Sequence, residues 1–274
     1  MLATRKRKII LALVLLFMLT FAVYLGMGIV RSLYLESSHI TLALPARGAF
    51  STTIRIAQVS DLHRAVFGEN NQELVDLVAS KRPDIIVATG DMIDKRTPDI
   101  QPTIDLFERF LDIAPVVFSL GNHEVEHEKL EALLVSLDGI GVQIVNNSTV
   151  TVGLNGVEFT IGGVYYAQRL DGLIAESGSI DVLLCHFPDK IDFFAHYGVP
   201  LIFCGHTHGG QFRIPIVNIA MYAPGQGFFP EYTKGLYTVG DTHMIVSRGL
   251  GNSSFPFRVY NPPEVVIADI TYSQ

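Results

Sequence analysis

Residues 54–63 read Ile-Arg-Ile-Ala-Gln-Val-Ser-Asp-Leu-His, a short β-branched run that stops abruptly at a polar cluster. The same phrase returns at 84–91 (Asp-Ile-Ile-Val-Ala-Thr-Gly-Asp) and at 116–124 (Val-Val-Phe-Ser-Leu-Gly-Asn-His-Glu). Short runs of this kind, bounded by turn-forming residues, read as strands. Between them, 72–81 and 103–112 carry apolar residues at helical spacing, so this half predicts β-α-β-α-β. Strands so uniformly apolar belong in a parallel sheet covered on both faces.

The second half changes rhythm. A helix over 126–137 leads to a strand at 142–145, and 150–152 and 157–161 flank the turn Leu154-Asn155-Gly156 as an antiparallel pair. Residues 182–185 run into His186, and 201–204 run into Gly205-His206-Thr207-His208. Strands at 235–239 and 243–247 pair around Gly240-Asp241, and 264–270 closes the chain. The pattern predicts an α/β (α+β) fold of two mixed sheets packed together with helices outside, a four-layer αββα sandwich over residues 51–274. Cys185 and Cys204 each sit inside an apolar run, which reads as two buried thiols and not as a disulfide framework.

Ahead of this domain, residues 9–30 contain no charge and are long enough to span the hydrocarbon core as a helix. Arg5-Lys6-Arg7-Lys8 precede the run and only Arg31 follows closely, so the positive-inside tendency places 1–8 in the cytoplasm and everything after Arg31 outside. A cleaved signal peptide is the competing reading. Its apolar region usually covers about 7–15 residues, and the first Ala-rich candidate cleavage site (Ala43-Leu44-Pro45-Ala46) lies well past this run. Length therefore favours a retained single-pass anchor in the cell membrane. Residues 31–50 read as a tether, which at full extension reaches about 65 Å.

The chain holds 20 Lys and Arg against 27 Asp and Glu. Five of those bases lie in 1–31, so the remainder keeps 15 bases against 27 acids, a net of −12. An acidic domain is a poor generic binder of nucleic acid, and none is expected as a partner.

In open α/β sheets ligands gather beyond the carboxyl ends of the strands. Five strand ends here deliver Asp61, His63, Asp91, Asn122, His186, His206 and His208 to one edge. Singly each is weak, because an Asp at a strand end is more often a turn or cap, and His39, His196 and His243 read as ordinary surface or core residues. Gly205-His206-Thr207-His208-Gly209-Gly210-Gln211 is more specific, since two imidazoles one residue apart between glycines suit ligands on a tight loop. Mixed oxygen and imidazole donors suit Mn²⁺, Fe, Zn²⁺ or Co²⁺. Seven are too many for one four-coordinate ion and suit two divalent ions, the arrangement that clamps both oxygens of a phosphoryl transfer.

These clusters resemble the calcineurin-like metallophosphoesterases, whose pattern is Asp-x-His, Gly-Asp, Gly-Asn-His-Asp/Glu, a His, and Gly-His-x-His. Here they stand as 61–63, 90–91, 121–124, 185–186 and 205–208, within a similarity covering 54–270. The chain looks most like a membrane-tethered bacterial branch, which continues the last motif as Gly-Gly-Gln-Phe-Arg-Ile-Pro does at 209–215. The resemblance implies the αββα fold, with one metal held by Asp61, His63, Asp91 and His208. It implies a second held by Asp91, Asn122, His186 and His206, with Asp91 bridging and a metal-bridging hydroxide as nucleophile. His123 would then be catalytic, over the scissile phosphate, with Glu124 orienting it.

The activity implied is hydrolysis of a phosphoester or pyrophosphate bond, most simply a phosphodiester of a small or lipid-linked molecule such as a UDP-2,3-diacylglucosamine-like compound. A nuclease or phosphomonoesterase of the same fold, and a non-catalytic metal-bound sensing module, are the alternatives. For substrate choice two features stand open. The aromatic stretch with Tyr222, Phe228, Phe229, Pro230 and Tyr232 either forms a rim for an acyl or prenyl chain or closes a core under a long loop. Arg258, after Phe255-Pro256-Phe257, either contacts phosphate or is solvated.

Overall fold

The computed structural model describes residues 2–46, 51–252 and 255–273. After helix α1 (Leu2–Arg31) the chain runs through β1 (Glu36–Pro45), β2 (Thr52–Val59), α2 (Gln72–Lys81), β3 (Ile85–Thr89), α3 (Gln101–Leu111) and β4 (Val116–Ser119). There follow α4 (Asn122–Val125), α5 (Leu130–Ile140), β5 (Gln143–Ile144), β6 (Ser148–Leu154), β7 (Val157–Gly163), α6 (Leu170–Ser177) and β8 (Val182–Leu184). Then come α7 (Ile191–His196), β9 (Leu201–Cys204), and two small hairpins, β10 (Arg213–Ile214) with β11 (Ile219–Ala220) and β12 (Tyr222–Ala223) with β13 (Gly227–Phe228). The chain finishes with β14 (Gly235–Val239), β15 (Thr242–Val246) and β16 (Glu264–Ser273).

Two six-stranded sheets form, in the orders β1-β16-β2-β3-β4-β5 and β14-β15-β9-β8-β7-β6. In the first, β2, β3, β4 and β5 are mutually parallel and β16 runs antiparallel to β2. In the second, β7, β8, β9 and β15 are parallel, and β6 and β14 close its two edges as antiparallel hairpins. Asn155 and Gly156, which turn β6 into β7, both have positive φ (51° and 79°), as a two-residue hairpin requires.

Alternation along each strand divides the apolar residues between cores. Ile85 and Val87 of β3 point between the sheets, where they meet Leu184, Leu201 and Phe203. Ile86 and Ala88 point outward under Leu74, Phe107, Phe110 and Leu137 of α2, α3 and α5. Leu170, Leu173 and Phe194 of α6 and α7 cover the far face of the second sheet over Leu183, Ile202 and Met244. The order helix–sheet–sheet–helix is the four-layer sandwich read from the sequence. Cys185 and Cys204 are buried and unpaired, with burial pushing the Cys185 thiol up to about 12.

Two expectations are corrected. The helix at 126–137 starts later, at Leu130, because the chain first makes the short α4 and a turn in which His127 accepts from Lys129 N–H at 3.0 Å. More consequential, the stretch 31–50 is not a loose tether. Its residues 36–45 form β1, paired parallel with β16 over its whole length from Glu36–Glu264 to Pro45–Ser273. Alternate side chains explain the difference: Ile40, Leu42 and Leu44 pack into the core between the sheets, but with Ser37, Ser38 and His39 before them and Thr41 between them the run reads as mixed and polar. Residues 47–50, where the tether was expected to end, lie outside the described residues.

Helix α1 is long and apolar enough to cross a membrane over 27 residues, Arg5–Arg31, with none of its most apolar window buried. Its last turns are seated on the domain. Tyr260 N–H donates to Gly28 O at 3.0 Å, and the Tyr24 and Tyr260 rings lie 4.8 Å apart. Asn261 N–H donates to Ser32 Oγ at 2.9 Å.

Because β1 is part of the sheet, where the chain is truncated matters. A chain lacking residues 1–33 keeps β1, whereas one lacking 1–46 loses it. Burial of Leu44 alone contributes about 1.5–3 kcal/mol, so the shorter chain is expected to melt at least about 3 °C lower. Thermal denaturation checks this, and equal melting temperatures would show that β1 adds nothing to the fold.

Candidate metal centre

All seven expected ligands stand just past strand ends, on loops that turn sharply. Asp61 and His63 follow β2, Asp91 follows β3, Asn122 follows β4, His186 follows β8, and His206 and His208 follow β9. Five of them hold left-handed backbone: Asp61 (φ 52°), His63 (52°), Asp91 (54°), His206 (70°) and His208 (47°). Asp, Asn and His tolerate this region better than other side chains, yet each such residue still costs about 1–2 kcal/mol. Backbone strain on this scale persists only where surrounding contacts over-determine it, and it clusters at functional sites. The loops also approach closely. A Cβ on Gly121 would overlap Asp91, and one on Gly205 would overlap the Ser60 hydroxyl, so both positions require glycine.

The side chains converge. Ligand atoms of Asp61, His63 and His208 all lie within 4.8 Å of one another, as do those of Asp91, His186 and His206, and those of His63, Asp91 and His123. His63 Nε2 faces His208 Nε2 at 3.2 Å, and His206 Nδ1 faces His186 Nε2 at 3.3 Å. Asp91 Oδ2 lies 3.2 Å from His186 Nε2 and 3.8 Å from His63 Nε2, between the two groups. Outer partners fix which ring nitrogen faces inward. His186 Nδ1–H donates to Thr89 O at 2.7 Å and His208 Nδ1–H to Gly251 O at 3.2 Å, which in the neutral rings leaves both Nε2 lone pairs for the centre. Asn122 Oδ1 is buried with no hydrogen-bond partner among the described residues. A buried acceptor left so is expensive unless a cation takes it.

Electrostatics point the same way. Burial pushes His63 down to about 4, His206 down to about 3 and His208 well below its ordinary value, so these imidazoles are neutral donors at neutral pH. Burial pushes the Asp61 carboxyl up to about 6, against the attraction of His186 and the Ser60 hydroxyl. At Asp91 burial acts in the same sense but is overcome by His186, which holds the carboxyl below the usual range. His186 itself, although buried, is pushed up to about 10 by Asp91. The field at Asp91 favours positive charge. These oxygen and imidazole donors fit divalent metal ions.

His123 borders the same cleft, about 450 Å³ in volume, together with Asp94, Lys95, Arg96 and Pro224. Its Nδ1 accepts from Lys95 N–H at 3.1 Å, so in the neutral ring the proton sits on Nε2. Asp94 Oδ2 lies 3.8 Å from the same Nδ1. The sequence reading missed Asp94; the spacing Gly90-Asp91-x-x-Asp94 was the available signal. Glu124, expected to orient His123, does something else. Its buried carboxylate accepts from Asp91 N–H (2.8 Å), Gly121 N–H (2.8 Å) and Ile93 N–H (3.1 Å), clamping the loops that carry Asp91 and Asn122. Burial, and then Asp91, push it up to about 7 against those three donors.

Arg258 is neither solvated nor at the substrate face. It is buried behind His208, donating to Arg248 O at 2.7 Å and to Gly251 O. His39, His196 and His243 lie away from the centre; His39 pairs with Asp269 and His243 with Thr238. An aromatic-walled hollow of about 240 Å³, unforeseen in the sequence, opens beside His206 between Tyr165, Phe187 and Gly225. Of the expected rim, Tyr232 packs on Tyr237, whereas Phe228 and Phe229 are exposed.

The Glu124 clamp yields a direct expectation. In Glu124→Gln one carboxylate oxygen becomes an amide that faces backbone N–H donors, leaving buried donors unpaired at about 1–3 kcal/mol. The variant should melt lower and bind Mn²⁺ more weakly than the parent, measured by calorimetry. An unchanged melting temperature would show that the clamp adds no stability.

Comparison with known proteins agrees with this geometry. Residues 54–210 match the family model described as calcineurin-like phosphoesterase. The metallophosphoesterase YkuE of Bacillus subtilis (strain 168) is 30% identical over 228 residues, 78% of this chain and 77% of that one. The phosphodiesterase YaeI of Escherichia coli (strain K12) is 26% identical over 228 residues, 79% of this chain and 82% of that one. Among solved structures, TT1561 of Thermus thermophilus superposes with a TM-score of 0.50 at 12% identity, covering 72% of this chain and 90% of that one, a likeness of fold alone. With its five motif loops brought to one buried centre, the chain belongs to the calcineurin-like phosphoesterases and is a metal-dependent phosphoester hydrolase.

Proposed function

We propose that the centre holds two divalent ions, one on Asp61, His63, Asp91 and His208 and one on Asp91, Asn122, His186 and His206, and that it cleaves phosphodiester or pyrophosphate bonds. The observation that carries this is the arrangement around Asp91: facing imidazole nitrogens at 3.2 and 3.3 Å on either side, and the buried Asn122 Oδ1 without a partner among the described residues. When bound, such ions supply Lewis acidity that neutralises phosphate charge and lowers the pKa of water for in-line attack. The chain's own groups do the rest. His123, proton on Nε2 and Nδ1 tied to the Lys95 amide, presents a donor to the cleft and can hand that proton toward the leaving oxygen. Lys95 and Arg96 line the cleft, each paired with a carboxylate, Glu126 at 2.8 Å and Asp94 at 3.2 Å. The glycine-bounded loops hold the donors in place before substrate arrives.

The substrate we assign is membrane-associated or lipid-linked, in the manner of a UDP-diacylglucosamine. The reading is supported by α1, whose apolar run ends on the domain beside the centre, and by exposed Phe228 and Phe229. Domain organisation follows: residues 1–8 on the cytoplasmic side, 9–30 across the membrane, and the catalytic domain, now starting at β1, on the far side.

Full-length protein in detergent with added Mn²⁺ is expected to hydrolyse bis-p-nitrophenyl phosphate. Asp91→Ala should abolish turnover and lower the bound metal, because it removes the shared ligand. His123→Ala should lose about 10²–10⁴-fold in turnover while retaining close to two ions per chain by elemental analysis. Metal lost from His123→Ala would make His123 a ligand. A parent protein that binds metal and turns over nothing would instead be a sensing module. For topology, alkaline phosphatase fused to the C-terminus should be active in cells, and an inactive fusion would place the domain in the cytoplasm.

A further inference from the structure

The sequence Gly209-Gly210-Gln211-Phe212-Arg213-Ile214-Pro215 continues from the last expected ligand into the β10–β11 hairpin, and nothing in the chemistry above uses it. The hairpin is apolar and outward-facing: Ile216 is 91% exposed, Val217 56%, Ile219 41% and Ile214 38%. Two more large apolar side chains, Phe228 (75%) and Phe229 (68%), stand on the neighbouring hairpin, tied to it through Phe229 N–H donating to Met221 O at 3.1 Å. An exposed cluster of this size calls for an occupant. It is also rigidly built. Arg213 is buried and donates to Gly209 O at 2.7 Å, Asn218 O at 2.8 Å and Asn218 Oδ1 at 2.9 Å, locking the hairpin turn to the loop that carries His208.

What covers it is decided by its neighbour. Arg213 N–H donates to Val259 O at 2.9 Å, and Phe212 forms a β-bridge with Val259. The next residue, Tyr260, is the one on which α1 sits, through Gly28 O and the Tyr24 carbonyl and ring. A Cβ on Gly28 would overlap Val259 and the Tyr260 ring, so helix and segment are in direct van der Waals contact. At 1.5 Å rise per residue, Gly28 and Tyr24 lie about 3 Å and about 9 Å inside the end of the apolar run 9–30. With α1 across a bilayer, the segment 259–260 is therefore at the boundary of headgroups and hydrocarbon. Tyr24 and Tyr260 are the residue type that favours that depth. The hairpin is bridged to this same segment through Phe212 and Arg213, and it bears apolar side chains of the kind that partition there.

We propose that the β10–β11 hairpin, with Phe228 and Phe229, is a lipid-embedded foot that sits in the bilayer beside α1 and seats the catalytic cleft on the headgroup layer. The proposal rests on α1 being a membrane span. Its occupant is the lipid bilayer itself. The foot joins the centre rigidly: Arg213 holds Gly209, and Asn261, adjoining the α1 seat, donates to His208 O at 2.6 Å.

The chain contains no tryptophan, so a single introduced indole reports its own surroundings. Full-length Ile216→Trp, Val14→Trp and Val135→Trp are reconstituted singly in phosphatidylcholine nanodiscs, with and without lipids brominated along the acyl chain. Val14 is in the middle of α1, and Val135 is exposed on α5. Ile216→Trp is expected to emit toward the blue and to lose at least about half its intensity to bromines placed near the headgroup. Val14→Trp should be quenched by deeper bromines, and Val135→Trp should not respond. Quenching of Val14→Trp without quenching of Ile216→Trp overturns the foot while leaving the anchor standing. No quenching of Val14→Trp refutes the anchor. Blue-shifted but unquenched Ile216→Trp would mean that a second copy, and not lipid, covers the hairpin, and overturns the proposal. Bis-p-nitrophenyl phosphate turnover equal to the parent's shows that each variant is folded.

Discussion

The arrangement on which everything else depends is the packing of four imidazoles, two carboxylates and an amide oxygen into one centre at the edge of a cleft. Left to themselves these groups crowd or orphan one another: the His63 and His208 Nε2 atoms stand 3.2 Å apart, and Asn122 Oδ1 has nothing to accept from among the described residues. A folded chain bears such a cost when a cation answers it. The rest of the domain can be read as the apparatus that holds this unfavourable set together. Two sheets press their strand ends to one edge, and a core between them, apolar apart from Gln58, Thr89 and Ser119 near the strand ends, fixes the register from which each loop departs.

The loops themselves are strained in a consistent way. Asp61, Asp91 and His206 all turn left-handed within two residues of a strand end, which points each side chain back over the sheet edge instead of along the strand. Such turns need reinforcement, and Glu124 provides it from beneath. By gathering three amide protons, one carboxylate fixes the relative position of the Asp91 and Gly121 loops. On the other flank Arg258 performs a comparable service for His208 through Gly251 and Arg248. Charged residues near such a centre need not touch substrate to be indispensable.

Much of this was legible in the sequence, and the reason is physical. A parallel strand buried on both faces has little choice but to be apolar throughout, so β3 and β4 stand out, and the polar residues where they stop stand out equally. The seven donors could be picked out because each sits at such a boundary. What could not be read were the relationships set by the third dimension. Nothing local distinguishes Glu124 as a clamp from Glu124 as a partner of its neighbour His123. Arg258 reads as a phosphate contact or a solvated residue because its burial depends on Gly251 and Arg248, which come near only in the fold. Strand β1 escaped notice because it is half-exposed at a sheet edge, where alternating Ser, Thr and apolar residues mimic a linker. The hollow beside His206 is assembled from four separate stretches of chain and has no linear signature.

The place of β1 has a bearing on how the protein meets its substrate. A catalytic head on a slack leash would sample a hemisphere tens of ångströms across and would find molecules in the surrounding fluid as readily as those in the membrane. Here only a few residues separate α1 from a strand built into the sheet, and Tyr260 grips the helix as well. With α1 in a bilayer, the cleft keeps one height and one tilt, turning only about the membrane normal. For a molecule held in the same sheet of lipid, the search would then be two-dimensional, governed by lateral diffusion.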